Sequence, residues 1–284
     1  MEQNGRQVID ILNYPFSRES QQKMFVDNVG EFRHNPWLKG TPRSFEGSTA
    51  DQFVSKMDNH GFSVTLISAL KMMSFQTRRL MVDFTIEGVY EEIKAHPQRL
   101  KILAGYNPFS IKESLAEIER GVKEFDCRGV YIHPYGFGIP LNDARYYPLY
   151  AKCQELDIPV SMQVGHSMEL MPSGTGRPIL LDDIALAFPD LIIVGAHTGW
   201  PWVEEMIALA WKFQNVYVGI DAHLPRYLDP SLVKFMKTRG QDKVLFGTNG
   251  VDPSVIMPQF EELGMAEGPK RKVLYENAAR IYGL

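Results

Sequence analysis

The chain has 284 residues, enough to bury a large core either as one α/β barrel or as two smaller domains. A net charge of −4 and a pI near 6.0 show no excess of basic charge of the kind that nucleic-acid-binding proteins carry. No apolar run of about 20 residues and no leader-like pattern occurs, so we expect neither a membrane span nor secretion. Cys127 and Cys153 form no Cys-x-x-Cys pair, and reduced thiols favour a cytoplasmic location.

Short apolar runs rich in valine and isoleucine recur along the chain, and amphipathic segments follow most of them. The runs predict strands at residues 7–12, 63–67, 100–106, 129–133, 158–164, 191–196, 216–220 and 243–247. Helical spacing is clearest at residues 110–125, 142–156, 202–213 and 269–282. Eight strands alternating with helices predict a (β/α)8 barrel. A doubly wound sheet would more often carry a glycine-rich phosphate turn after its first strand, and none follows here.

Two long stretches interrupt this rhythm, and both leave the carboxyl end of a predicted strand. Residues 15–49 follow the first strand and residues 68–84 follow the second. Because the carboxyl ends of parallel strands carry the active site in such folds, we expect these loop insertions to cover it. No internal repeat, low-complexity tract or linker is present. The sequence therefore predicts a single barrel domain over residues 1–284.

Histidines stand at the ends of several predicted strands. His197 follows the apolar run at residues 191–196, and His166 follows the run at 158–164. His133 closes the fourth run, and His223 lies just after the seventh. Histidine changes its charge near neutral pH and serves as a general acid or base. The alternative for each of them is a core or loop histidine without chemistry, but their shared position favours an active site.

Three blocks of sequence, taken in order, carry a resemblance. They are residues 129–167, 195–218 and 242–250, which read GVYIHPYGFGIPLNDARYYPLYAKCQELDIPVSMQVGHS, GAHTGWPWVEEMIALAWKFQNVYV and DKVLFGTNG. They resemble the amidohydrolase-related family, in the branch with aminocarboxymuconate semialdehyde decarboxylase, γ-resorcylate decarboxylase and pyrone dicarboxylate lactonase. The resemblance covers about residues 100–284 and implies a (β/α)8 barrel with its site at the carboxyl face.

The chain departs from the metal site that this resemblance implies. The family carries Asp-x-His-x-His in its first strand, whereas here Leu12 and Tyr14 occupy the two histidine positions after Asp10. The family aspartate after the eighth strand is Asn249. Leucine offers no lone pair, and neutral tyrosine is a poor zinc ligand. The sequence therefore predicts no cofactor, with Zn²⁺ at low occupancy as the exception.

Any residual metal would rest on His166 and His197, the two histidines that keep the positions of the family. Two neutral ligands are fewer than a catalytic zinc site uses. Without a metal hydroxide, hydrolysis needs a histidine to activate water, and His197 is the predicted base. Asn249, Tyr14 and His166 would hydrogen-bond the developing oxyanion. For Asn249, a loop-capping role before Gly250 is the alternative.

These expectations give a cytoplasmic, metal-independent hydrolase in the catabolism of aromatic compounds. It would cleave a C–C or C–O bond next to a carbonyl in a small organic acid, lactone, β-keto acid or β-ketoacyl thioester. The predicted catalytic residues are His197, His166 and Asn249, and the predicted substrate-binding residues are Tyr14, His133, Trp200, His223 and Arg145. Arg145 would bind a substrate carboxylate or phosphate, with an ordinary surface charge as the alternative.

Two other functions stay open at this point. One is a metal-dependent decarboxylase of an aromatic or muconate-type acid, an activity found within the resembled family. The other is a non-catalytic subunit that accompanies an active homologue, because a barrel without its metal ligands could persist as a partner. The resemblance also implies a homodimer or a larger assembly.

Overall fold

The computed structural model describes residues 7–27, 29–32 and 47–284. In this part of the chain the strands are β1 (Val8–Asn13), β2 (Phe62–Ser68), β3 (Lys71–Met73), β4 (Leu80–Asp83), β5 (Leu100–Ala104), β6 (Cys127–Ile132), β7 (Val160–Gln163), β8 (Ile193–Ala196), β9 (Val216–Gly219) and β10 (Val244–Leu245). Eight of them form one sheet in the order β1-β2-β5-β6-β7-β8-β9-β10, with parallel pairing throughout. The predicted (β/α)8 barrel is confirmed, and each predicted run overlaps one strand of this sheet.

The barrel closes between its first and last strands. The backbone N–H of Ile11 donates to the carbonyl of Phe246 at 3.2 Å, and that of Asn249 donates to the carbonyl of Leu12 at 3.0 Å. Both bonds join β1 to residues just after β10, and the side chain of Asp10 accepts further hydrogen bonds from Thr248 at the same seam. The residues just beyond β1 and β10 are therefore brought together at the carboxyl face.

Helices surround the barrel and alternate with its strands. They span Arg18–Gln21, Val29–Phe32, Ala50–Asn59, Ile86–Ile93, Ile111–Glu124, Tyr147–Glu155, Leu180–Ala187, Val203–Lys212, Pro230–Lys237, Pro253–Glu262, Glu267–Arg271 and Asn277–Tyr282, with π-helical turns at Gln22–Val26 and Lys272–Glu276. The helix predicted at residues 142–156 begins later, at Tyr147. Asp143, ahead of this helix, accepts hydrogen bonds from the backbone and guanidinium of Arg145, at 2.8–3.0 Å.

The two long stretches after β1 and β2 contain structure of their own. The first begins with short helices, which Glu92 anchors by accepting hydrogen bonds from the backbone of Ser17 at 2.6 Å and from the hydroxyl of Ser20 at 2.8 Å. Its residues 28 and 33–46 lie outside the described part. The second is the antiparallel hairpin of β3 and β4, in which buried Lys71 pairs with Asp83 at 2.9 Å.

No helix in the described ranges is long and apolar enough to cross a membrane. Cys127 and Cys153 are buried free thiols, as the spacing of the two cysteines predicts. The assignment of residues 1–284 to a single domain stays a prediction.

Candidate active site

The chain turns sharply where β8 ends. His197, Thr198 and Gly199 all have left-handed backbones, with φ of 68°, 61° and 81°. A positive φ is uncommon outside glycine and costs free energy, so such positions often mark functional sites. Ala222 after β9 and Asn249 after β10 share this conformation, with φ of 69° and 52°. The backbone is thus held in an uncommon conformation at three neighbouring points of the carboxyl face.

His197 is paired with a carboxylate that the sequence analysis missed. Its Nδ1 lies 2.5 Å from Oδ2 of Asp221, which is fully buried two residues beyond β9. The other oxygen of Asp221 accepts from the backbone N–H of His197 at 3.3 Å. Because an ionised carboxylate only accepts hydrogen bonds, Nδ1 carries a hydrogen and Nε2 faces away from the pair. This arrangement orients the ring and leaves Nε2 for proton transfer.

The Nε2 atom of His197 faces a buried phenol. The hydroxyl of Tyr131 lies 3.3 Å from Nε2 and donates to Oε1 of Gln163 at 3.1 Å. Burial raises the pKa of Tyr131 well above its ordinary value, so the hydroxyl keeps its hydrogen. Because its one hydrogen is donated to Gln163, the hydroxyl oxygen can accept a hydrogen bond from Nε2 when that nitrogen is protonated.

Two residues of this site, Tyr131 and Asp221, could have been predicted from the sequence, although the sequence analysis did not name them. Tyr131 precedes His133 by two residues in the predicted strand at residues 129–133, and side chains two apart in a strand point to the same side. Asp221 stands in the same short segment as His223, just after the seventh strand. The sequence gave no comparable indication for Gln163, because a glutamine at the end of a strand does not by itself indicate an active site.

At the seam between β1 and β10, two predicted site residues bond to each other. The hydroxyl of Tyr14 donates to Oδ1 of Asn249 at 2.6 Å. Burial raises the pKa of Tyr14 above its ordinary value, so this donor is permanent. Asparagine tolerates the left-handed backbone found at position 249, which accounts for its presence there. These are two of the positions at which the resembled family carries metal ligands.

Asp10 lies beneath this pair, and hydrogen bonds occupy both of its carboxylate oxygens. It accepts from the backbone and hydroxyl of Thr248 at 2.7 and 2.6 Å, from the backbone of Leu12 at 3.2 Å, and from the amide of Asn13 at 3.1 Å. Burial outweighs these bonds and raises the pKa of Asp10 to about 6. With its acceptor sites filled, Asp10 joins the two edges of the barrel.

His166, Trp200 and His223 form an aromatic group beside His197. The rings of His166 and Trp200 meet edge to face with centroids 4.7 Å apart, and the centroid of His223 lies 6.5 Å from that of Trp200. Trp200 is 46% exposed, so its indole borders solvent. Burial lowers the pKa of His166, and it lowers that of His223 to about 4 with help from the charge of His197. Both rings are therefore neutral at pH 7.

The remaining predicted residues fall in different places. His133 is buried one residue beyond β6, with Nε2 3.8 Å from Oε2 of Glu169 in the loop after β7. Arg145 lies instead in an exposed pair with Asp143, and its contacts in the described ranges do not reach His197. The structure thus places His133 beside Glu169, and it places Arg145 away from His197.

The donors at this face do not match the metal site that the family resemblance implies. Within residues 7–27, 29–32 and 47–284, no three histidine, cysteine, aspartate or glutamate side chains are grouped so that they could hold a metal ion. Tyr14 and Asn249 bond to each other, and the acceptor sites of Asp10 are filled. Nδ1 of His197 is hydrogen-bonded to Asp221. The residues present therefore do not fit the ligand set of the family.

A family model described as amidohydrolase matches residues 33–284 of the chain. No curated protein sequence matches it closely. Among solved structures, an uncharacterized TIM-barrel protein from Bordetella bronchiseptica superposes with a TM-score of 0.76 and 22% identity, covering 98% of this chain and 99% of the other. A 5-carboxyvanillate decarboxylase from Novosphingobium aromaticivorans gives 0.71 and 16%, covering 100% and 97%. A dihydroxybenzoic acid decarboxylase from a Polaromonas species gives 0.69 and 17%, covering 99% and 97%.

The two decarboxylases correct one prediction. The Novosphingobium structure holds manganese with 4-hydroxy-3-methoxy-5-nitrobenzoic acid, and the Polaromonas structure holds manganese with the inhibitor 2-nitroresorcinol. The prediction of no cofactor, with Zn²⁺ at low occupancy as the exception, is therefore wrong for this group of barrels. At these identities the likeness establishes the fold.

Proposed function

Because the chain belongs to the amidohydrolase family, we propose that it is a lyase that removes the carboxylate from a small aromatic organic acid. This is the decarboxylase that the sequence left as an alternative to a hydrolase. The similar structures of known activity favour it, since they are decarboxylases of substituted benzoic acids. The predicted hydrolysis of a lactone or acyl thioester has no counterpart among them.

The pairing of His197 with Asp221 carries the proposal. Decarboxylation of an aromatic ring requires an acid that protonates the ring carbon, and Asp221 is placed to stabilise the imidazolium that this acid needs. With Nε2 protonated, His197 gives its proton to the carbon that bears the carboxylate. The bond to the carboxylate then breaks, and its electron pair restores the aromatic ring. Carbon dioxide leaves, and water returns a proton to Nε2.

Polar and aromatic side chains surround His197. Among the described residues, those gathered at this face are Tyr14, Tyr131, His133, Gln163, His166, Glu169, His197, Trp200, Asp221, His223 and Asn249. The exposed face of Trp200 can stack on an aromatic ring.

No step of this reaction is assigned to a metal, because the described side chains lack the ligand set of the family. The assays nevertheless contain manganese, since the similar decarboxylases hold it. The cytoplasmic location and the homodimer or larger assembly stay predictions.

The test is carbon dioxide release from substituted benzoic acids, with 2,6-dihydroxybenzoate and 5-carboxyvanillate first, run in D₂O. We expect carbon dioxide and a product that carries deuterium at the former carboxylate position. His197→Gln should lower kcat by about 10²-fold or more. His96→Gln, at a half-buried histidine paired with exposed Asp51, is the matched control and should retain activity.

Two outcomes would contradict the proposal. If hydrolytic products form without carbon dioxide, the hydrolase prediction would be supported instead. The absence of turnover with every acid tried would favour the non-catalytic subunit instead.

A further inference from the structure

A groove at the surface of the protein runs beside the helix Pro230–Lys237. The 3₁₀ turn Pro225–Tyr227, which follows β9, also lines it, and so does Leu263, just after the helix Pro253–Glu262. The volume of the groove is about 460 Å³, within the range of about 300–1,000 Å³ that is usual for small-molecule sites. None of the residues placed at the candidate active site lines it, so the groove is a separate feature.

The apolar lining of the groove is aliphatic. It consists of Pro225, Leu228, Pro230, Val233 and Leu263. No aromatic ring lies among the described residues that line the groove, so it offers no stacking surface to a flat ligand. A ligand that covers these side chains gains free energy, because it removes apolar surface from water. This lining therefore favours an alkyl chain.

Three cationic side chains lie around the same groove. Arg226 and Lys234 are exposed, and Lys237 is half-buried. In the part of the chain that the structure describes, no acidic side chain lines the groove and none of these three cations forms an ion pair. Asp229, the nearest carboxylate along the chain to Arg226 and Lys234, accepts instead from the backbone and hydroxyl of Ser231 at 2.8 and 2.6 Å.

The end of a helix explains only part of this charge. Lys234 and Lys237 lie in the last turn of the helix Pro230–Lys237, where the helix dipole favours cations. That reason does not extend to Arg226, which lies in the separate 3₁₀ turn. The chain as a whole is acidic, with a net charge of −4, so the positive charge at the groove is a local feature. It attracts anions and repels cations.

We propose that this groove is a second binding site, which takes an aliphatic carboxylate. The alkyl chain covers Leu228, Val233 and Leu263, and the carboxylate meets Lys234 and Lys237. These two lysines are three residues apart in a helix, so they are neighbours on its surface and can reach one anion. A small inorganic anion would leave the aliphatic lining in water, and a neutral hydrocarbon would leave the cations unpaired. The site does not depend on the reaction proposed at His197.

The experiment records methyl NMR spectra of protein labelled at leucine and valine while sodium octanoate is added. We expect the resonances of Leu228, Val233 and Leu263 to shift and to reach saturation, because the alkyl chain covers these side chains. Acetate lacks the chain and should bind at least about tenfold more weakly than octanoate. The alcohol 1-octanol lacks the charge and should bind at least about threefold more weakly.

Two variants separate the contributions of the charge and of the lining. Lys234→Ala should weaken octanoate binding about twofold to fivefold, as expected for one exposed ion pair. Val233→Asp places a carboxylate in the aliphatic lining and should abolish saturable binding, because the two negative groups repel each other. Lys112→Ala, at an exposed lysine of the helix Ile111–Glu124, is the matched control and should bind octanoate as the unaltered protein does.

Octanoate shifts that do not saturate, or equal binding of octanoate and acetate, would overturn the site. Saturable binding by a folded Val233→Asp variant, or equal effects of Lys234→Ala and Lys112→Ala, would also overturn it; circular dichroism checks the fold of each variant. If sedimentation shows that Val233→Asp changes the number of chains in the assembly, the groove is an interface between copies of this chain and the proposal is wrong. Carbon dioxide release enters none of these measurements, so the proposed function is tested separately.

Discussion

Two corners of the carboxyl face use polar side chains in opposite ways. At the seam corner, formed by Asp10, Tyr14, Thr248 and Asn249, the side chains hydrogen-bond one another. At the histidine corner, formed by His197 and Asp221 with Tyr131, one buried pair leaves Nε2 facing a hydroxyl. Both corners follow barrel strands and contain left-handed residues. We propose that the seam corner stabilises the barrel and that the histidine corner carries the chemistry.

The largest effect is expected from Asp221→Asn. The amide cannot stabilise an imidazolium, and it can present a donor to Nδ1, so the wrong tautomer of His197 is favoured. We expect kcat for decarboxylation to fall by about 10²–10⁴-fold. The measurement is the initial rate of carbon dioxide release, with Asp182→Asn at an exposed pair with Lys212 as the control. Equal rates in both variants would remove the chemical role from the histidine corner.

A substitution in the seam corner should lower the stability of the fold. Asp10→Ala leaves two buried donors on Thr248 and further donors on Leu12 and Asn13 without their acceptor. We expect the free energy of unfolding to fall by about 2–4 kcal/mol, measured by urea denaturation.

The control for that change is Asp229→Ala, which removes a helix-capping carboxylate that accepts from Ser231. Its expected cost is about 1 kcal/mol. If Asp10→Ala costs no more than this cap, the seam corner does not hold the barrel together.

The architecture was predictable because strand periodicity and the strand–helix alternation are local signals. Each of the eight barrel strands overlaps one predicted run, with ends that differ by at most a few residues. The side chains that complete the site were harder to predict, since they meet across distant parts of the chain. Asp221 lies 24 residues from His197, and Tyr131 lies 66 residues from it. The position of His197 could be predicted from the sequence, whereas Asp221 and Tyr131, which contact its two ring nitrogens, could not.

The family resemblance pointed to Tyr14 and Asn249 at the seam corner, but it did not predict the hydrogen bond between them. Replacement of two implied ligands by Tyr14 and Asn249 was visible in the sequence, whereas the bond between them depends on how the barrel closes. Glu169 had no signal at all, because it belongs to a loop without periodicity.

Tyr131→Phe tests the contact within the histidine corner. The variant keeps the ring but loses the hydroxyl that meets Nε2 of His197 and donates to Gln163. We expect kcat to fall about tenfold, in line with one buried hydrogen bond, while KM changes little. Tyr131 acts through His197, so the Nε2 resonance of His197 in ¹⁵N spectra should also shift without any substrate present.

The control for the hydroxyl is Tyr150→Phe, which removes a buried hydroxyl that donates to the carbonyl of Leu141 at 2.6 Å. This change should lower stability without moving the His197 resonance. A shift of that resonance in both variants, or in neither, would show that Tyr131 has only a packing role.

The smallest effect concerns the pH dependence of stability beside the histidine corner. Burial, followed by the charge of His197, lowers the pKa of His223 from 6.5 to about 4, so the folded protein resists its protonation. The unfolded chain takes up this proton near pH 6.5, and stability from His223 is therefore complete above that pH and lost as pH falls towards 4. His223→Gln cannot be protonated, so its melting temperature should fall less than that of the unaltered protein between pH 7 and pH 5. Thermal unfolding at several pH values makes the comparison, and parallel curves would mean that His223 is as well hydrated in the folded barrel as in the unfolded chain.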